Sequence, residues 1–245
     1  MDLGIDGRVA LVTASSRGLG RASAEALAAD GARLVVTARG AESLDTAEQE
    51  LRAAGAEVFG IVADVTDPEV PERLVSATVE RYGQIDIVVA NAGGPPPGRS
   101  LELDDDAIRA AVEGNLLSAV RLVRAAAPHM RSQGWGRICC ISSYSIIQAL
   151  PGLALSNTAR AGLWAWAKTA AADLAAEQSG ITLNVVCPGP HATERMRQLT
   201  GGSGGGGPMG DPADFGRVVA FLCSRPAAFV NGAAIVVDGG ATLAL

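Results

Sequence analysis

Seven short apolar runs rich in β-branched residues recur along the 245-residue chain, alternating with longer segments rich in alanine, leucine, arginine and glutamate. The runs occupy residues 8–13, 32–38, 57–64, 85–93, 136–142, 181–189 and 233–240. Near-continuous hydrophobic runs are typical of strands buried on both faces, and helical connections between such strands make right-handed parallel crossovers. The alternation therefore predicts an α/β fold, a doubly wound sheet of seven parallel strands flanked by helices.

The chain is expected to form a single domain over residues 1–245, because no linker or shift in composition divides it. Four helices of ordinary length are expected at 21–30, 41–54, 69–82 and 212–224. Two longer ones are expected at 104–132 and 153–178. The second is so rich in alanine and apolar surface that one sheet face would not cover it, so we expect a homo-oligomer, a dimer or homotetramer, through these two helices.

Charge and cysteine usage exclude several classes of partner. The net charge is −6 with both signs interleaved, which argues against nucleic acid. Neither a secretory leader nor an uninterrupted membrane span is evident, so a cytoplasmic protein is expected.

The cysteines lie in apolar runs without metal-ligand spacing, which predicts buried, reduced thiols and no metal site. They are Cys139, Cys140, Cys187 and Cys223.

The turn after the first apolar run has the pattern of a dinucleotide site. Gly18 and Gly20 would let a pyrophosphate approach the backbone at a helix N-terminus, where unpaired N–H groups and the helix dipole favour anions. Arg17 lies inside this turn, and Arg39 follows the second strand, where an acidic residue would bind a ribose 2′-hydroxyl and a cation a 2′-phosphate. Because Ala38 supplies no carboxylate, we expect NADP(H) rather than NAD(H).

A family resemblance extends this interpretation. The turn reads Thr13-Ala14-Ser15-Ser16-Arg17-Gly18-Leu19-Gly20, which differs from T-G-x-x-x-G-x-G only in its second residue. Together with the C-terminal VDGG, it makes the chain resemble the short-chain dehydrogenase/reductases, most of all the bacterial 3-oxoacyl-(acyl carrier protein) reductases, over nearly its whole length. The resemblance implies a Rossmann-type fold, a small-molecule carbonyl substrate, and cofactor contacts from Thr13, Ser15, Ser16, Arg17, Gly18, Leu19 and Gly20.

Further cofactor contacts are implied by the same resemblance. Asp64 and Val65 match the family's adenine-binding pair, and Asn91-Ala92-Gly93 match three residues of its N-N-A-G motif. Pro188-Gly189 and Thr193 match the segment beside the nicotinamide. His191, within that segment, could touch substrate or nicotinamide, although a lone loop histidine is more often a bystander. The glycine-rich stretch that follows favours a mobile lid over residues 194–210, with a featureless surface loop as the alternative.

The active-site tetrad of the family is matched in part. Asn115 matches the asparagine that holds a water in a proton relay, and Ser143 matches the serine that orients the substrate carbonyl. Thirteen residues after Ser143 the family has Y-x-x-x-K, where this chain has Ser156 and Arg160. Lys168 lies twelve residues past Ser156, about 18 Å along a helix, too far to substitute. Arg160 can still bond ribose hydroxyls, so it is a candidate for both catalysis and cofactor binding.

Three hypotheses follow from this tetrad. In the first, the protein is an NADP(H)-dependent carbonyl reductase in which Ser143, Ser156 and Arg160 stabilise the alkoxide, and water on the Asn115 relay or Tyr144 supplies the proton. In the second, it binds NADP(H) without turnover, as a sensor or a partner subunit. In the third, Arg160 anchors a carboxylate or phosphate of the substrate.

Overall fold

A computed structural model describes residues 2–201 and 208–244. Its seven strands are all parallel and form one sheet in the order β3-β2-β1-β4-β5-β6-β7. They span β1 Val9–Val12, β2 Arg33–Ala38, β3 Val58–Val62, β4 Ile87–Ala90, β5 Gly136–Ile141, β6 Ile181–Pro188 and β7 Ala234–Val237. The predicted α/β fold of seven parallel strands is confirmed.

Helices cover both faces of the sheet. They span α1 Gly18–Ala29, α2 Ala41–Ala53, α3 Val70–Tyr82, α4 Asp105–Val112, α5 Ser118–Gln133, α6 Ala154–Ala176, α7 Glu194–Leu199 and α8 Pro212–Leu222. Helices α3, α5 and α6 bury their apolar sides against one face, and α1, α2 and α8 cover the other. Successive residues of β1 point to opposite faces, so Leu11 lies in the first core and Val12 in the second.

The strand order reverses between β1 and β4, which are neighbours in the sheet. From β1 the chain goes outward through β2 and β3, then crosses back to β4 on the other side of β1. At such a switch point the loops leaving the two strands diverge and open a crevice at their carboxyl ends, where open α/β sheets bind ligands. The predicted glycine turn and Asn91 both lie at this crevice.

The long helix predicted over 104–132 has a different local geometry. Residues Glu113–Leu117 form a π-helical turn between α4 and α5, in which the Ser118 N–H donates to the Glu113 carbonyl. Such turns carry one extra residue and are common at functional sites, and this one contains Asn115. Hydrophobic spacing does not resolve a single inserted residue, which is why the pattern predicts one uninterrupted helix.

The structure describes part of the predicted lid at 194–210. Residues Glu194–Leu199 form α7, and His191 and Gly210 make a parallel bridge, whereas residues 202–207 lie outside the described residues. None of the helices in the described ranges is long and apolar enough to cross a membrane. All four cysteines are buried and free of disulfides, as predicted.

Candidate cofactor and active site

The turn after β1 is tied to the neighbouring strands by short polar side chains. The Thr13 hydroxyl donates to the Asn91 carbonyl at 2.7 Å and accepts from the Asn91 N–H at 2.9 Å. The buried Ser15 hydroxyl donates to the Val12 carbonyl at 2.7 Å and accepts from the Thr37 N–H at 3.1 Å. Thr13 and Ser15 therefore fix the shape of the turn from beneath, and the hydroxyl of Ser15 is engaged within the protein.

Close approach explains the glycine at position 20. A Cβ atom there would lie 2.5 Å from Nδ2 of Asn91 and 2.6 Å from the carbonyl oxygen of Ala14. The same Asn91 amide donates to that Ala14 carbonyl at 3.1 Å. Ala14, at the position of the family's first glycine, has a φ of 47°, and Gly18 has a φ of 60°. The turn thus keeps the left-handed backbone that the glycine pattern requires, even where alanine replaces glycine.

The N-terminus of α1 opens onto a cleft of about 320 Å³. Arg17 is the N-cap residue and its exposed side chain makes no capping bond, so the first N–H groups of the helix are left for another acceptor. Thr193 faces Gly18 across this cleft and begins α7, where its hydroxyl accepts from the Met196 N–H at 3.3 Å. Segments that lie 175 residues apart in the chain therefore line one cleft at the N-terminus of α1.

Arg39 and Asp64 meet at the carboxyl ends of β2 and β3. Nη1 of Arg39 lies 4.0 Å from Oδ2 of Asp64, and both side chains are largely exposed. Thr66 donates to Oδ1 of Asp64 from its N–H at 3.0 Å and from its hydroxyl at 2.8 Å. The hydrogen bond from the Thr66 N–H is the main cause that lowers the pKa of Asp64, and the positive charge of Arg39 lowers it further. Asp64 is thereby held as a carboxylate, while the guanidinium of Arg39 remains exposed to a ligand.

These features fit the nicotinamide dinucleotide that the family resemblance implies. The glycine at position 20 lets the turn keep a tight backbone, and the helix that follows has uncapped N–H groups for a phosphate. Asn91, Ala92 and Val65 line a second, small cavity beyond the turn. The predicted cofactor residues are therefore brought to one edge of the sheet, from Arg39 and Asp64 at one end to Thr193 at the other.

Asn115 is buried in the π-helical turn with half of its amide unpaired. Its Nδ2 donates a long bond of 3.4 Å to the Ala111 carbonyl, whereas Oδ1 has no partner in the described part of the chain. Asn115 and Arg160 line the same cavity of about 10 Å³. This is room for roughly one water molecule, and a buried unpaired oxygen is what such a water commonly bonds. The arrangement fits the predicted water relay.

The segment after β5 and the first turns of α6 carry the other three tetrad positions, Ser143, Ser156 and Arg160. The Ser143 hydroxyl accepts from the Ser145 N–H at 3.1 Å, which caps a short 3₁₀ turn at 144–146. Ser156 lies on α6 one turn before Arg160, and both hydroxyl-bearing residues are half-buried. Nη1 of Arg160 donates to the carbonyls of Ile141, at 2.9 Å, and Ser142, at 2.8 Å. The guanidinium is thus anchored to the end of the strand that carries Ser143.

Arg160 is only 8 % exposed. Burial is the main cause that lowers its pKa to about 10, and repulsion by Arg195 adds to the effect. A guanidinium with that pKa still carries its charge near neutral pH. The site therefore contains a buried cation with no carboxylate within ion-pair distance in the described ranges.

Tyr144, Lys168 and His191 are three further residues that the sequence analysis considered, and each makes its own set of contacts. Tyr144 has a raised pKa, chiefly from burial and then from Asp238, which makes its phenol a weaker acid. Lys168 donates to the Gly232 carbonyl at 2.8 Å, on the far part of α6. His191 is buried with its Nδ1 3.1 Å from the Gly189 carbonyl and its ring against Phe215.

Arg195 is the residue that the sequence pattern does not indicate. It extends from α7 to the segment after β4, where Nη2 donates to the Pro95 carbonyl and the guanidinium packs on Gly94. Its charge adds to the lowering of the pKa of Arg160, so the two guanidinium groups lie near each other. In the sequence, Arg195 is marked as a candidate only by its position two residues after Thr193. Its contact with Pro95, a hundred residues away, cannot be predicted from the sequence.

Comparison with known proteins agrees with this geometry. The family model described as enoyl-(acyl carrier protein) reductase matches residues 13–242. The chain is 34 % identical to the 3-oxoacyl-(acyl-carrier-protein) reductase of Escherichia coli, over 97 % of this chain and 98 % of that protein.

Two solved structures extend the comparison. L-sorbose reductase from Gluconobacter frateurii, complexed with NADPH and L-sorbose, superposes with a TM-score of 0.92 at 31 % identity and 100 % coverage of both chains. An actinorhodin polyketide ketoreductase with NADPH gives 0.89 at 33 %, covering 96 % of this chain and 97 % of that one. The chain therefore belongs to the short-chain dehydrogenase/reductase family of NAD(P)-dependent oxidoreductases.

Proposed function

We propose that the protein is an NADP(H)-dependent carbonyl reductase that works with Asn115, Ser143, Ser156 and Arg160 in place of the family's usual tetrad. The observation that carries the proposal is the buried Arg160 guanidinium, anchored to the two carbonyls that precede Ser143. A fixed cation in a water-poor site stabilises negative charge that develops on a carbonyl oxygen. A 3-oxoacyl compound or a related ketone is the substrate class that the relatives suggest.

The cofactor preference rests on Arg17 and Arg39. Arg39 extends into solvent beyond β2, and its pair with Asp64 is at the limit of ion-pair distance, so the pairing contributes little and leaves the guanidinium free to bind a 2′-phosphate.

NADPH, when bound, supplies the hydride that reduces a carbonyl carbon. The chain's own residues then hold the substrate oxygen: Ser143 and Ser156 donate hydrogen bonds to it, and Arg160 stabilises its charge.

The proton for the alkoxide comes from water in this scheme. A serine hydroxyl is a much weaker acid than the tyrosine of the family, and Arg160 stays charged near neutral pH. Asn115 holds a water in the cavity that it shares with Arg160, and this water relays protons from solvent. Without a positioned general acid, we expect turnover about 10²–10⁴-fold below that of a typical family member.

A second candidate function is NADP(H) binding without turnover, as a sensor or a partner subunit. It is favoured by the raised pKa of Tyr144, which weakens the phenol next to Ser143 as a proton donor. The nucleotide-binding turn would be retained in that case, while the acid and base residues would be under no constraint. The two candidates differ in whether any carbonyl compound is reduced.

The experiment separates binding from chemistry. NADPH and NADH are titrated by fluorescence, and loss of NADPH absorbance is then followed with 3-oxoacyl thioesters, ketones and aldehydes. The proposal expects tighter binding of NADPH and slow oxidation with some substrate, which Ser156→Tyr combined with Arg160→Lys should accelerate. Thr158→Tyr, at an exposed position of the same helix turn, is the matched control. Binding without oxidation across the panel would support the second candidate.

We also propose that the protein forms a homo-oligomer, a dimer or tetramer, in the cytoplasm. The outer side of α6 exposes a row of small residues, Ala161, Ala165 and Ala172, which would let a second copy approach closely. The four buried free thiols suit a reducing compartment. Light scattering tests the assembly, and a monomer at micromolar concentration would contradict it.

A further inference from the structure

Two arginines lie near the proposed site, and neither is paired with a carboxylate among residues 2–201 and 208–244. Arg160 lines the small cavity that Ala92 also lines, and Arg195 packs on Gly94, two residues further along the chain. Arg160 belongs to α6, and Arg195 belongs to α7. Each guanidinium is instead hydrogen-bonded to backbone carbonyls through one nitrogen, Nη1 in Arg160 and Nη2 in Arg195. A buried or half-buried charge without a counterion is unfavourable, so these two cations require an explanation.

Arg137 shows how a buried arginine is accommodated elsewhere in this fold. It is 3 % exposed and also has no acidic partner in the described part of the chain, but its Nε and Nη1 bond three carbonyls and its guanidinium stacks on Trp135. Its donors are therefore largely satisfied within the protein. Arg160 uses a single nitrogen and lines a cavity with the rest of its side chain, which leaves donors available to a ligand.

Arg195 also differs from its neighbour on the same helix. Arg197 forms an ion pair with Glu194 at 2.8 Å, and this pair is the main cause of the lowered Glu194 pKa. The acidic residue of α7 is thus committed to Arg197. Arg195 is left with the Pro95 carbonyl and the backbone of Gly94 as its contacts.

The position of Arg195 is set by two long-range connections. Its bond to Pro95 joins α7 to the segment after β4, and that segment is fixed beside the start of α6 because Gly98 pairs with Leu153. The N–H of Gly98 donates to the Gly152 carbonyl at 2.7 Å. Ser156 follows on α6 within its first turn, so Arg195 is anchored to the segment that pairs with the start of the helix carrying Ser156 and Arg160.

The cofactor offers no equivalent explanation for Arg195. The uncapped N–H groups of α1 and the side chains of Arg17 and Arg39 are already the groups proposed to bind its phosphates. Glu194 and Arg197 of α7 line the cleft at the N-terminus of α1, whereas the Arg195 side chain extends to the Pro95 carbonyl instead. Arg195 and Arg160 are close enough to repel each other, and an anion between or beside them would relieve that repulsion. A carboxylate matches a guanidinium geometrically because it accepts two parallel hydrogen bonds.

We propose that the substrate carries a carboxylate close to its reducible carbonyl and that Arg195 binds this carboxylate. The inference rests on the proposed reductase function and names its substrate class, a short oxo acid. Arg195 is then a specificity-determining residue: its guanidinium pairs with the carboxylate, which is unchanged by the reaction, while Arg160 faces the carbonyl oxygen.

The test compares acids with their neutral esters. Acetoacetate, 2-oxobutanoate and the methyl ester of each are titrated by NMR against the full chain loaded with NADP⁺, so that binding is measured without turnover. We expect the acids to bind at least about ten-fold more tightly than the esters, as one charge-assisted pair allows. Arg195→Gln should remove this difference by weakening the binding of the acids, and Arg195→Lys should restore part of it.

Arg197→Gln is the matched control, on the same helix and with its charge already paired, and it should bind the acids like the wild type. Fluorescence titration of NADPH and thermal unfolding accompany every variant. Equal binding of acids and esters would overturn the inference, as would a phosphate monoester that binds more tightly than either acid. An equal loss of NADPH affinity in Arg195→Gln would also overturn it, by assigning the guanidinium to the cofactor. Acid preference without NADPH oxidation would uphold the carboxylate site and refute the reductase function.

Discussion

Replacing Gly20 with alanine tests whether close backbone approach shapes the cofactor turn. The new Cβ would lie 2.5 Å from Nδ2 of Asn91 and 2.6 Å from the Ala14 carbonyl oxygen, well inside van der Waals contact. One neighbour is backbone, and the other is a short side chain fixed by its own hydrogen bond to Ala14, so neither can move away freely. The turn or the first residues of α1 must shift.

The magnitude follows from two effects. Overpacking a well-packed site costs about 1–3 kcal/mol. The bond from Asn91 to Ala14, 3.1 Å long, would be lengthened or broken, and a hydrogen bond of this kind contributes about 0.5–1.5 kcal/mol. A total near 3 kcal/mol would lower the Tm of a chain of this size by about 6–12 °C. NADPH affinity should also fall by at least about ten-fold, because the displaced N–H groups are those expected to bind its phosphates.

Thermal unfolding of the cofactor-free variant and fluorescence titration of NADPH measure the two effects separately. Gly114→Ala is the matched control, since Gly114 is also buried but a Cβ there would only meet Cγ2 of Thr66 at 3.6 Å, an ordinary contact. Its Tm should be unchanged or slightly higher. If Gly20→Ala unfolds within about 1 °C of the wild type and binds NADPH equally well, the steric reasoning about this turn is refuted.

Three further predictions concern the scaffold around the site. Ala14→Gly should raise the free energy of unfolding by about 0.5–1 kcal/mol, because a φ of 47° strains alanine but not glycine; a lower Tm would contradict this. Asp86→Ala should lower it by about 3 kcal/mol in urea unfolding, because the buried carboxylate accepts bonds from Arg8, Gln84 and the Val9 N–H; the exposed control Asp105→Ala should have little effect. Burial raises the pKa of Cys140 and Cys187 to about 12, so thiol reagents at pH 8 should label neither in the native protein but both in guanidinium chloride; rapid native labelling would show that the thiols are accessible.

Much of the architecture follows from local patterns in the sequence. Each buried strand is a short apolar run, and the intervening helices are long enough only for parallel crossovers, so fold class, strand number and the position of the glycine turn could all be predicted. The turn after Val12 is equally local, since its glycines and the helix they precede are adjacent in the chain. Arg39 and Asp64 were predictable as neighbours because the carboxyl ends of adjacent parallel strands lie at one edge.

Other features depend on contacts between distant segments. The π-helical turn that orients Asn115 differs from an α-helix by a single residue, a change that hydrophobic spacing cannot detect. The surroundings of Tyr144 and His191 could not be predicted either, because Asp238 and Phe215 reach them from later elements. Only tertiary packing brings Asp238 near Tyr144 and Phe215 against His191.

The sequence alone identified the turn from Thr13 to Gly20 as the expected dinucleotide site, because that turn needs only consecutive residues with the right backbone freedom. It also placed Ser156 and Arg160 on one helix. Tertiary structure decided what surrounds Arg160: the Ile141 and Ser142 carbonyls at the end of β5, and a second guanidinium from Arg195. Charge repulsion and burial act through space. The two neighbouring guanidinium groups therefore come together only when the folded sheet brings α6, α7 and the segment after β4 together.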